Sequence, residues 1–144
     1  MAHGKGSRLV AALVVAALSA CGTAGAAKEE DGPPARVERV KGTKQRRVTL
    51  TPRAARRIGL KVVPISGATG GETVVPYAAL LYDPSGRTWV YKQVKPRAYQ
   101  RARVTVDRIE GDQVFLSASP PVGTRAVSVG AAEVYGTEFF SGHE

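Results

Sequence analysis

The sequence predicts an all-β fold: a small barrel or sandwich of six to seven short strands with one short helix, preceded by a signal peptide and a flexible tether. Three observations predict it. From Arg46 onward, β-branched and aromatic residues come in short runs, several of them alternating with polar residues. Clusters of Gly, Pro, Asp and Ser separate the runs. No internal repeat and no heptad pattern points to a solenoid or a coiled coil.

Each element has its own reason. Arg46 to Leu50 is a short strand. Thr51 then suits an N-cap, with Pro52 at the first helical position, where its missing N–H costs nothing. Ala54 to Arg57 favour helix and Gly59 stops it, so residues 52–58 form a helix of two turns or less. Leu60 to Ile65 returns to β composition, and Gly67 to Gly71 is a loop. Thr73 to Val75 is β-branched, and Pro76 marks an edge or a break. Leu80 to Tyr82 runs into Asp83-Pro84-Ser85-Gly86, a turn sequence. Arg87 to Val94 puts Trp89 and Tyr91 on one face and Val90 and Val94 on the other. Lys95-Pro96 interrupts.

Tyr99 to Asp107 alternates, with Val104 and Val106 opposite Arg103 and Thr105. Glu110-Gly111-Asp112 turns the chain, and Val114 and Leu116 continue the alternation, so 101–117 reads as a hairpin. Ser119 to Gly123 is a loop, Ala126 to Val129 a strand, and Val134 to Phe140 a last short strand.

The N-terminus sets the address. Lys5 and Arg8 precede an apolar run, Leu9 to Leu18, of ten residues. That is too short to span a bilayer but suits a secretory signal. Leu18-Ser19-Ala20-Cys21 closes the run and resembles the lipobox of bacterial lipoproteins. The resemblance implies cleavage before Cys21 and a diacylglycerol on its thiol. A plain signal peptide with a leftover thiol is the main alternative, and a cytoplasmic chain is a weaker one. Residues 1–20 are then a lipoprotein signal peptide, 21–45 a flexible tether rich in Gly, Ala, Pro and charge, and 46–144 the β-rich domain. The chain is expected outside the cytoplasm, lipid-anchored to the cell membrane.

The formal net charge is +9. Ten Lys/Arg between Arg36 and Lys61 face one acid, Glu38. Held near a membrane, each basic residue in such a stretch contributes about 1 kcal/mol toward anionic headgroups; a merely solvated basic stretch is the plainer reading. Arg47, Arg53, Arg56 and Arg57 are the candidates for lipid or partner contact. Nucleic acid is not expected, because the signal exports the chain and no aromatic-basic interleaving is present. Trp89, Tyr91 and Arg103 are candidates for a protein interface, where Trp and Tyr are favoured anchors; cross-strand packing is the alternative for the aromatics.

Chemistry is sparse. Cys21 is consumed by acylation, and His143 is the only histidine beyond the signal. No nucleophile–base–orienter arrangement can be assembled, so no enzyme, no metal site and no cofactor is expected. Glu110 and Asp112 read as turn residues. The glycines at 67, 70 and 71 precede no GK[ST] helix and read as a connection.

Val75-Pro76-Tyr77-Ala78-Ala79-Leu80-Leu81 leads to Thr88-Trp89-Val90-Tyr91, then Arg103-Val104-Thr105-Val106, Gly111-Asp112-Gln113-Val114-Phe115-Leu116 and Val122 to Ala131. This order of segments resembles the C-terminal, membrane-proximal part of periplasmic adaptor subunits, or membrane fusion proteins, of resistance-nodulation-division efflux pumps. Leu50-Thr51-Pro52 through Ile58-Gly59-Leu60 is similar to a segment near the start of adaptors related to metal efflux. In that family a barrel, lipoyl halves and a helical hairpin separate these parts. Here only the loop around Gly67 to Gly71 stands between them. Asp107 stands where the family often has glycine, and Pro120-Pro121 replaces a leucine-containing turn. The resemblance implies a non-catalytic, adaptor-like component that binds an inner-membrane transporter and lacks the parts that reach an outer-membrane channel. The alternative is a ligand- or cell-wall-binding lipoprotein. A pocket lined by Arg97, Arg101 and Arg103 would favour it; the same side chains lying flat on a sheet would favour the adaptor.

Overall fold

The structure is a computed structural model that describes residues 32–141. The signal peptide, residues 21–31 of the tether with Cys21, and His143 lie outside the described residues.

The chain is mainly β, in two antiparallel sheets with one C-terminal helix. The first sheet holds β1 (Ala35–Arg39), β2 (Arg46–Leu50), β8 (Ala98–Arg103), β7 (Thr88–Lys95), β11 (Arg125–Val129) and β3 (Lys61–Pro64), in that order. A two-residue strand, β6 (Leu81–Tyr82), shares the edge of β7 with β11. The second sheet runs β4 (Ser66–Gly67), β5 (Thr73–Pro76), β10 (Gln113–Ala118), β9 (Thr105–Glu110).

The short helix α1 (Pro52–Arg57) forms as expected. Thr51 accepts a hydrogen bond from the Ala54 N–H at 3.1 Å, and Pro52 opens the first turn. The Asp83 turn also forms. The Ser85 and Arg87 N–H groups donate to the Asp83 carboxylate, and Gly86 takes the positive φ that closes it.

Four expectations change. Ala35–Arg39 lies within the expected tether, yet it pairs with β2 as the edge strand β1. Among the described residues the strand count rises to eleven, because short pairings such as β4 and β6 carry too few residues to show a period. The expected hairpin forms around Gly111, where β9 pairs with β10, but only from Thr105 onward: residues 101–103 belong to β8 in the other sheet. β8 ends at Arg103 and β9 begins at Thr105, and Val104 is the crossing point. It is clamped there twice: its N–H donates to the Thr88 carbonyl at 3.1 Å, and the Thr88 hydroxyl donates to its own carbonyl at 2.7 Å.

The last strand, expected at Val134 to Phe140, is instead the helix α2 (Ala131–Phe140). Its buried face is Ala131, Val134 and Glu138, a spacing of three, then four. A glutamate in the third place hides the helical period. Gly130 starts the helix at φ 87, and a Cβ there would meet the Ile58 side chain at 3.2 Å, so both conformation and space call for glycine.

The first sheet is thereby buried on both faces. One face packs Val90 and Ala126 against Val75, Val114 and Leu116 of the second sheet. The other packs Val48, Leu50, Tyr91, Tyr99 and Val127 against Ala131 and Val134 of α2, with Ala54, Ala55 and Ile58 of α1 at its margin. Alternation along β7 sends Val90 to the first core and Tyr91 to the second.

Candidate arginine–tryptophan surface

Two strands and a turn build the most elaborate polar arrangement among the described residues. On β7, Trp89 and Tyr91 point to the α2 side. The register places Arg103 of β8 directly opposite Trp89, and Arg101 opposite Tyr91. Arg87 lies two residues before Trp89. Three guanidinium groups thus surround one indole, at 4.7 Å for Arg101, 5.4 Å for Arg103 and 5.8 Å for Arg87. Cations are attracted to the electron-rich face of such a ring.

Two carboxylates hold the arrangement in place. Asp83 is buried in its turn, where its Oδ2 accepts from the Trp89 indole N–H at 3.1 Å and from Arg87 Nε at 2.6 Å. Burial alone would raise its pKa. The N–H groups of Arg87 and Ser85, the indole and the Arg87 guanidinium outweigh that and hold it at about 2.

Glu138 of α2 is only 1 % exposed. It accepts from the Tyr91 hydroxyl at 2.5 Å, and its two oxygens lie 2.9 and 3.2 Å from Arg101 Nε. Burial, then the hydrogen bond and charge of Glu138, push the Tyr91 hydroxyl far above its ordinary value, so it stays protonated and donates. Arg101 also stacks on Phe139, at 4.8 Å. Arg46 reaches the same helix end and donates to the Glu138 backbone carbonyl at 2.9 Å, satisfying a carbonyl that the last turn leaves open.

The sequence-derived candidates separate in space. Arg53, Arg56 and Arg57 are exposed on α1, the last two in its final turn, where cations suit the helix dipole. Arg47 is half-buried on β2, and its Nε is sealed from solvent without a hydrogen-bond partner. Trp89 is half-buried and Arg103 exposed. Tyr91 is corrected: it is 0 % exposed and bonded to Glu138, so it supports the surface from beneath rather than touching a partner. Cys21 lies outside the described residues.

Arg97, Arg101 and Arg103 do not line a pocket. Arg97 sits in the β7–β8 turn at φ 58, tied by its carbonyl to the Leu50 N–H. Arg103 lies at the far end of β8, roughly 20 Å away at the rise of an extended strand. Two shallow clefts among the described residues, about 270 and 260 Å³, lie elsewhere, beside Gln93 to Pro96 and between Val63, Val75 and Gln113. Among the described residues no cluster of His, Cys, Asp or Glu could hold a metal ion, and no helix is long and apolar enough to cross a membrane.

Sequence reasoning missed Asp83 and Glu138. Asp83 was visible only as a turn former. Glu138 carried no signal, because nothing local tells that it faces a sheet.

No protein-family model matches this chain, and no curated protein or solved structure matches it either.

Proposed function

We propose that this chain is a non-catalytic, lipid-anchored, adaptor-like component of an efflux or transport system, and that its β-domain binds the extracytoplasmic part of an inner-membrane transporter. One observation carries the reading. Arg101 and Arg103 lie across an aromatic sheet surface instead of converging on a pocket, so the molecule offers a face to a macromolecule rather than a cavity to a small ligand.

The topology gives further support. The segments that resemble the start of an adaptor and those that resemble its end share one sheet, with β2 paired to β8 and β3 paired to β11. A domain closed in this way needs nothing inserted at Gly67 to Gly71. The lipid on Cys21 would keep the module at the membrane and raise its local concentration at a transporter. The exposed arginines of α1 would orient it toward anionic headgroups.

In-cell crosslinking of the tagged, membrane-anchored protein, followed by mass spectrometry, tests this. A reproducible crosslink to an inner-membrane transporter is the expected result. Crosslinks to wall polymer or lipid alone would reject the transporter partner.

A further inference from the structure

We infer that Arg103 and Arg87, on either side of the Trp89 indole, form a preorganised seat for a carboxylate side chain of a partner protein. The inference rests on the proposed binding role for its choice of a protein partner, and on the geometry alone for the chemistry of the seat.

The charges around Trp89 do not balance. Three guanidinium groups approach the ring, and two carboxylates answer them. Glu138 is taken by Arg101, and Asp83 by Arg87 through its Nε. Arg103 makes no ion pair or hydrogen bond among the described residues; it lies over the indole face. Like charges held around one ring repel, and an anion between them relieves that repulsion.

The seat is also rigid. The indole is fixed through its N–H to Asp83, and Asp83 is fixed by two backbone N–H groups of its own turn. Arg103 is the last residue of β8, and the double clamp between Thr88 and Val104 sets its place opposite Trp89. With backbone and ring fixed, a guanidinium loses little freedom when it binds, and its planar fork matches a carboxylate.

The composition favours a protein over a lipid surface. A half-buried Trp flanked by Arg is the make-up of an interface hot spot. A lipid surface is served better by many exposed cations, and those cluster on the segment from Arg36 to Lys61.

Trp89 is the only tryptophan in the chain, so its fluorescence reports this seat directly. The test uses the full chain in a nonionic detergent, titrated with a blocked hexaglutamate peptide and, separately, with hexaglutamine. Hexaglutamate should shift the Trp89 emission saturably and hexaglutamine should not. Arg103→Gln should weaken the response roughly tenfold, the worth of one charge-assisted hydrogen bond. Arg125→Gln should leave it within about twofold, because an exposed charge at a distance is screened.

Equal responses to the two peptides would overturn the seat. So would equal losses in Arg103→Gln and Arg125→Gln, which would reduce it to general positive charge. Anionic vesicles that shift Trp89 through Arg103 while hexaglutamate does not would overturn the protein partner in favour of lipid. The same variant separates this inference from the adaptor reading. A transporter crosslink that survives Arg103→Gln would reject the seat and keep the adaptor. Hexaglutamate binding without any transporter crosslink would keep the seat and reject the adaptor.

Discussion

Two arginines anchor the two halves of this molecule in opposite ways. Arg101, on the first sheet, has one carboxylate partner, Glu138, and its side chain is 16 % exposed. Arg108, on the second sheet, has three partners, Glu72, Asp107 and Glu110, and is 41 % exposed. It also lies 3.8 Å over the Phe115 ring. By count of ion pairs Arg108 is the stronger centre. By environment it is the weaker one. Water and salt screen the Arg108 group, whereas Glu138 has no solvent to fall back on if its partners leave. The Glu72 and Glu110 hydrogen bonds raise the Arg108 pKa above an already high value, and at any ordinary pH that changes nothing.

The sharpest way to break the comparison is to remove the buried acid. Glu138→Ala strips Arg101 of its charge partner and the Tyr91 hydroxyl of its acceptor. It should cost about 3 kcal/mol in urea unfolding. Glu138→Gln keeps an acceptor for Tyr91 and should cost less. A Glu138→Ala protein as stable as wild type would mean that α2 is held by its apolar face alone.

The other core offers an apolar reference. Leu116, buried between the sheets, contributes packing and no charge. Leu116→Ala should cost about 2 to 3 kcal/mol, with no dependence on salt. A salt-dependent loss would show that the sheets are held together partly by charge.

Asp83 supplies the pH test. Its pKa is depressed in the fold, so its contribution is present above the unfolded value of 3.8 and lost as pH falls toward about 2. Asp83→Asn has none of that contribution to lose. The difference in unfolding midpoint between wild type and variant should therefore narrow between pH 3.8 and about 2. A constant difference across that window would mean that the turn, not the charge, carries the effect.

Arg108→Gln should give the smallest change, present at low salt and gone at high salt, as screening of an exposed network requires. A large, salt-insensitive loss would move Arg108 into the class of Arg101 and undo the comparison. In that case its stacking on Phe115 would be the reason to examine.

The features legible in the sequence are local. Thr51-Pro52 names the start of α1, because an N-cap and a first-turn proline act within one turn of chain. Asp83 to Gly86 names its turn, because the side chain bonds backbone two and four residues on. The period of two along β7 places Trp89 and Tyr91 on one face, since alternation is a property of any extended strand.

Which faces are covered, and by what, depends on long-range packing. Tyr91 and Trp89 share a face, yet one is sealed and the other half open, because α2 lies over only part of the sheet. The break at Val104 follows from the second sheet claiming β9, and no residue within 101–107 announces it. Residues 134–140 have β composition and Gly136 in their midst, yet they form a helix, since a helix can bury Val134 and Glu138 together against Tyr91 and Arg101. A glutamate reads as a surface residue until a distant arginine and a tyrosine, brought near by strand pairing, make its burial affordable.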